Sequence, residues 1–254
     1  MSTPETSRPE QPTPTETARA TAAAVGGIAA GFMLDMNTYV AAAGVGYEGL
    51  GFYFGGRGGV LGDVSVAEVI EEFVFFPEDT VRASWEQAAS VESRADAATR
   101  FAEAAAAWSD EHLPADGPDY ARLAELAGKV VAAADATGAP LFAGWRDLPE
   151  PEGPRALAVH RMNGLRELRF SRHAAAVRAE GVDPVLAFMV KTPYMADIFG
   201  WPEPRPEPTE DDRAAWDRAE TATEEAFGKD LAVLDADERA EFVALAQQVL
   251  AAAA

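Results

Sequence analysis

The chain has 254 residues, 48% of them hydrophobic, with 21 Lys and Arg against 42 Asp and Glu for a formal charge of -21. Such a field repels the nucleic-acid backbone, whose recognition needs clustered positive charge, so no nucleic-acid partner is favoured. The absence of cysteine removes disulfides, thiolate metal sites and cysteine nucleophiles together, and three histidines are few for an imidazole cluster, so no metal is assigned.

Residues 1–13 (MSTPETSRPEQPT) are polar and proline-rich, with too few apolar side chains to offset their ordering entropy, and are predicted to form a disordered tail. No basic start leads into an apolar core there, so a secretory signal is not expected and the chain is placed in the cytoplasm. The strongest apolar run, Ala22 to Leu34, is shorter than the about 20 residues a bilayer requires, and no membrane partner is expected.

Thr13-Pro14-Thr15-Glu16 reads as a capping box with proline at the first helical position, opening a helix to about Leu34. Inside it Gly26, Gly27 and Gly31 each cost about 1 kcal/mol against alanine. The close approach of another backbone, or of a flat ligand, would explain them. Asp35 or Asn37 caps a short helix that Gly44 ends. Gly44 to Val64 then holds nine glycines in 21 residues, interleaved with Tyr47, Phe52, Tyr53 and Phe54 and one cation, Arg57. The spacing matches neither the Walker pattern nor the dinucleotide fingerprint. It reads as a turn-rich segment packing its rings on the core, or as a flexible lid carrying Tyr53 and Arg57 to a pocket.

Ser65-x-x-Glu68 caps the next helix, with Val66, Val69, Ile70 and Phe73 as its apolar stripe. Further helices are predicted from Pro77, from about Glu92 to His112, from Asp116-Gly117-Pro118 to Gly138, and from Pro140 through Trp145. Residues 149–153 link into the most distinctive stretch of the chain.

That stretch runs from Pro154 to Glu180. Six of the 21 Lys and Arg and two of the three histidines lie between Arg155 and Arg178, where Glu167 is the one acid. Pro154 suits a first helical turn and Gly181 a stop, so one helix of about seven turns is predicted. At helical periodicity Arg166, Arg169 and His173 share one face, and His160, Asn163 and Glu167 form a second stripe. Two readings are open. Fork-shaped guanidinium groups beside a histidine make an anion site with a proton carrier; alternatively, the face is solvated or ion-paired with the acidic helices around it. Glu167 is expected to be held by an arginine or by His160.

Beyond Gly181, Asp183-Pro184 restarts a helix that Pro193 breaks near Lys191-Thr192. A proline-rich connector follows at 201–208. Thr209 with Asp212 and Asp235 with Glu238 cap two last helices, so 209–254 is expected to pack as a pair on a main helical domain at 14–200. No run alternates in the manner of a strand. The chain is predicted to be all-α, a multi-helix bundle of about ten helices.

Several segments also share a pattern. Tyr53-Phe54, Arg57, Leu61-Gly62 and Val64 are followed by Phe73, Phe76-Pro77 and Val81, then by Leu141-Phe142-Ala143. His160, Arg166, Glu167, Arg169 and His173 come next, and finally Glu220 with Thr223-Glu224. Together they resemble an actinobacterial family labelled helix-turn-helix or SalK-like, over roughly 18–190 and the last two helices. The resemblance implies a winged-helix-like segment before those helices. GWPEPRPEPT, residues 200–209, stands in its place, so the segment is expected to be reduced or absent. Ala24 to Gly27 occupy the positions of a family Glu-Pro-x-His element, Leu168 that of its second motif histidine, and Phe170-Ser171-Arg172 that of its Gly-Asp-Gly. Metal or haem chemistry resting on those histidines has lost them here, and no cofactor is assigned.

Three functions fit these residues. The first is a helical small-molecule-binding protein, possible enzyme included, whose polar pocket uses Arg166, Arg169, His173, Glu167, Asn163, Arg57 and Tyr53 for an anionic or polar ligand. His173, His160 and Tyr53 are its candidate catalytic groups, the face being roofed by Gly51 to Gly62. The second is an interaction or cargo-type protein acting through its acidic surface and its N-terminal tail, towards a protein partner or a second copy of itself. The third is a degenerate winged-helix-type regulator.

Overall fold

A computed structural model describes residues 11–253. Among them are twelve α-helices, two short 3-10 turns and no strand. In chain order they are α1 (Pro14–Leu34), α2 (Met36–Ala43), α3 (Gly51–Gly58), α4 (Val66–Glu72), α5 (Glu78–Ala89) and α6 (Arg94–His112). The second half holds α7 (Tyr120–Ala133), α8 (Pro140–Arg146), α9 (Pro154–Ala179), α10 (Pro184–Lys191), α11 (Glu210–Leu231) and α12 (Ala236–Ala252). The protein is all-α.

The helices begin where side chains satisfy their orphan N–H groups. Thr13, Ser65, Thr209 and Asp235 each form a complete capping box with the acid three residues on. Asp35, Ser93, Asp119 and Asp183 cap α2, α6, α7 and α10 singly. Gly181 ends α9 with φ at +68°, the left-handed conformation that costs glycine least. Residues 201–209 are irregular, so no winged segment stands there among the described residues.

The long basic helix is the centre of the fold. α9 packs against α1, α6, α7, α8 and α11, and 15 of its 26 residues are buried. A helix with so thin an apolar stripe can be central because its arginines lie flat and send their heads outward to acids. Arg155 reaches Asp110, Arg161 reaches Glu150, and Arg172 reaches Asp230, at 2.7–3.0 Å. For these three the ion-pair reading holds.

The glycine-rich segment is not a lid: it turns over residues 44–50 and packs its rings on the core as expected, but it is helical where a turn-rich chain was expected to continue. Its middle is α3, buried at every position, wedged between α5 and α6. A Cβ at Gly55 would overlap Ala88, and one at Gly56 would stand 2.6 Å from the Phe101 ring. The glycines let three backbones approach closely, and Phe52 and Phe54 fill the spaces beside them.

α1 is likewise a core element. Its 18-residue window reaches a mean hydropathy of 1.3, enough by length and composition to cross a bilayer, yet half of that window is buried inside the fold. It lies against α9, α11 and α12, so the last two helices pack on the rest of the bundle. Gly31 meets the indole ring of Trp108 and Gly27 the tip of Leu250, so two of the three glycines answer to side chains. Of the predicted tail, residues 1–10 lie outside the described residues. Gln11 bonds Asp237, and the Pro12 carbonyl accepts from Arg239 at 2.9 Å.

Candidate functional site

The Arg166, Arg169 and His173 face of α9 borders a cavity of about 410 Å³ lined also by α1, α10, α11 and the turn carrying Phe75 and Phe76. Arg166, Arg169 and His173 all line it, as does Tyr53 from α3. It opens to solvent past Lys191 and Tyr194, both exposed lining residues. The roof is not the glycine-rich segment, which contributes Tyr53 alone. α10, the following 3-10 turn and the turn after it supply that side instead, through Phe188, Met195 and Phe199.

Beneath the cavity floor lies a buried ion network. Arg57 and Glu167, each 1% exposed, form a two-pronged pair with Nε–Oε1 at 2.9 Å and Nη2–Oε2 at 2.7 Å. The fork geometry satisfies both carboxylate oxygens and is the strongest form of this pairing. Arg57 also donates to the Tyr53 hydroxyl at 3.0 Å and lies over the Phe73 and Phe170 rings. Arg166 adds a bond to Glu167 Oε1 at 2.7 Å. Burial pushes the Glu167 carboxyl up, but the Arg57 and Arg166 charges outweigh it and hold the group below the usual range. Glu167 is thus held by two arginines, and His160 takes no part.

Across the cavity, α11 answers α9. Arg169 donates to Glu220 at 2.8 Å, and its Nε–H is buried with no acceptor. His173 Nδ1 lies 2.9 Å from Thr223 Oγ1 and 3.4 Å from a Glu220 oxygen. Thr223 already spends its one proton on the Ala219 carbonyl at 2.6 Å. Its oxygen must therefore accept from His173, which fixes the proton on Nδ1 and leaves Nε2 as an acceptor. Burial pushes the His173 pKa down to about 4, with Glu220 acting in the opposite sense. At neutral pH His173 is uncharged and able to accept a proton or a hydrogen bond.

Four of the candidates lie elsewhere. Arg57 and Glu167 are consumed by each other. Asn163 is fully buried, and both polar atoms of its amide lack partners. His160 stacks on Trp145, whose indole N–H donates to the His160 carbonyl at 2.9 Å. Burial pushes its pKa down to about 4 as well, against the opposing Glu150 charge. None of the four lines the cavity.

Other lining residues were not called as site residues from sequence: Phe76, Phe170, Phe188, Phe199, Trp216 and Lys191. An aromatic in a helical stripe reads first as core, and these come together only through tertiary packing. Glu220 and Thr223 did carry a signal, since their spacing of three matches the Glu-x-x-Thr of the family pattern. Among the described residues no group of three His, Asp or Glu side chains converges on one point.

No curated protein and no solved structure matches the chain. A family model described as a helix-turn-helix family matches residues 18–202, and the chain belongs to that family.

Proposed function

We propose that this helix-turn-helix family member, in its divergent SalK-like form, is a cytoplasmic binding protein for a small anionic or polar molecule held in the cavity beside α9. The observation that carries this reading is the convergence of Arg166, Arg169, His173 and Tyr53 on one cavity wall. A cavity of about 410 Å³ lies within the range of small-molecule sites. Arg166 lines the cavity and spends one of its five N–H groups on Glu167, which leaves others to donate. If a reaction accompanies binding, His173 is its proton carrier through Nε2, because a neutral imidazole is the basic group in that wall.

The test is a thermal-shift screen of the full chain against a panel of small organic acids and polar metabolites. At least one should raise the midpoint. Arg166→Ala should abolish that shift while lowering the ligand-free stability by only about 1 kcal/mol, since the Arg57 fork still holds Glu167. A panel without any stabilising compound, or a shift untouched by Arg166→Ala, would overturn the reading.

The family match favours a second reading, a regulator with degenerate DNA recognition. The net charge of -21 and the irregular 201–209 segment weigh against it. A gel shift at physiological salt separates the two.

A further inference from the structure

Resting on the cavity as a binding site, we infer that its ligand class is an apolar monocarboxylic acid. Its carboxylate lies on Arg166 and Arg169, and its apolar body lies along the aromatic wall. Two features of the walls decide this.

The first is charge. Arg166 and Arg169 on the inner wall and Arg57 beneath it bring three positive charges, and Glu167 and Glu220 two negative ones, while Lys191 adds a further cation only at the exposed mouth, where water and salt screen it. His173 is neutral, so away from the mouth one positive charge is left without a counter-ion. A partly buried cation is costly to leave unpaired. One carboxylate closes the balance, a phosphomonoester dianion overshoots it, and an alcohol leaves it open. Arg166 and Arg169 are three residues apart on one helix, so their heads are neighbours. The unsatisfied Arg169 Nε–H adds a donor that protein atoms do not use.

The second is the remainder of the lining. Phe76 and Phe199 meet edge to face at 4.7 Å, Phe188 lies against both, and Trp216 stands beside His173. On the α1 side the wall is Val25, Ala30 and Met33, with Gly26 between them. A hydrophilic anion such as phosphate or acetate would leave this surface wet, whereas an apolar body covering it gains the hydrophobic term in proportion to area. Gly26 is the notch in that wall. A Cβ placed there meets nothing within 4 Å, so a larger side chain would enter the cavity without striking the fold.

Calorimetric titration of the full chain with octanoate, 1-octanol, acetate and inorganic phosphate tests the inference. Octanoate should bind about tenfold or more tighter than 1-octanol, the margin of a charge-assisted hydrogen-bonded pair over a neutral one. It should likewise bind well ahead of acetate and phosphate. Arg166→Gln should erase the preference of octanoate over octanol, and Gly26→Leu should weaken both. Either variant should keep the wild-type circular dichroism, since one spares the Arg57–Glu167 pair and the other fills open space. Equal binding of octanoate and octanol, or acetate or phosphate binding as tightly as octanoate, overturns the ligand class. In that case loss of binding in Gly26→Leu still upholds the cavity as the site. If neither octanoate nor octanol binds, the inference falls, and the cavity then stands or falls on the thermal-shift panel alone.

Discussion

Glu167 and Arg57 show how a single pair can join distant parts of the chain. They are 110 residues apart, wholly buried, and bonded by two prongs. Removing one partner leaves a bare charge in the interior, and buried pairs broken this way lose about 3–5 kcal/mol. Glu167→Ala should show that loss in urea unfolding, several times the cost of Arg166→Ala. A small change would mean that Arg57 finds another counter-charge. The two buried histidines make a second prediction at this scale. Both titrate at about 4 in the fold, against about 6.5 in the unfolded chain. As pH falls below about 6.5 the unfolded chain takes up protons first, so stability is full above that value and declines towards about pH 4. Between pH 7 and 5.5, before most carboxylates titrate, His173→Gln should unfold with a flatter pH dependence than the wild type. Parallel slopes would contradict the neutral buried imidazole.

The helices owe their peculiar compositions to what they touch. α1 carries three central glycines with three different surroundings: Gly31 lies under Trp108, Gly27 against Leu250, and Gly26 beside the cavity. Alanine substitution should therefore split by position. Gly26→Ala should stabilise by about 1 kcal/mol through helix propensity, and Gly31→Ala should destabilise by about 1–3 kcal/mol through overpacking against the indole. Thermal midpoints moving in the same direction would refute this division. In α3 the glycines serve close packing throughout, and the segment is a core helix although its composition resembles a loop. α9 is the converse case. Its charges suggest a surface helix, but it is central, because Asp110, Glu150, Glu220 and Asp230 on surrounding elements receive its arginines.

At the scale of the whole molecule the charge of -21 is an average over a basic centre and an acidic exterior. The α9 cluster is covered by carboxylates from α6, the 149–153 linker and α11. What solvent meets is therefore acidic, and a phosphate backbone would be repelled at every approach. No retarded band should appear with duplex DNA at physiological ionic strength. A sequence-specific, salt-dependent shift would restore the regulator reading. Exposed Leu34 and Tyr194 line the cavity, so apolar surface reaches water where it opens.

The helix borders were legible in the chain because they depend on local chemistry. Capping boxes at Thr13, Ser65, Thr209 and Asp235, and the stops at Gly181 and Pro193, act within a few residues, so their spacing alone places them. The shared face of Arg166, Arg169 and His173 was legible for the same reason, since helical periodicity is a local property. Which side of α9 opens on a cavity was not. That depended on α10 and α11 arriving from downstream to supply Phe188, Trp216 and Glu220, contacts that no local pattern encodes. Arg57 and Glu167 were recognised as charged residues of one site, but their mutual pairing and full burial required α3 to pack within reach of α9. Local rules set the elements, and long-range packing decided which polar groups were spent on each other and which were left facing the cavity.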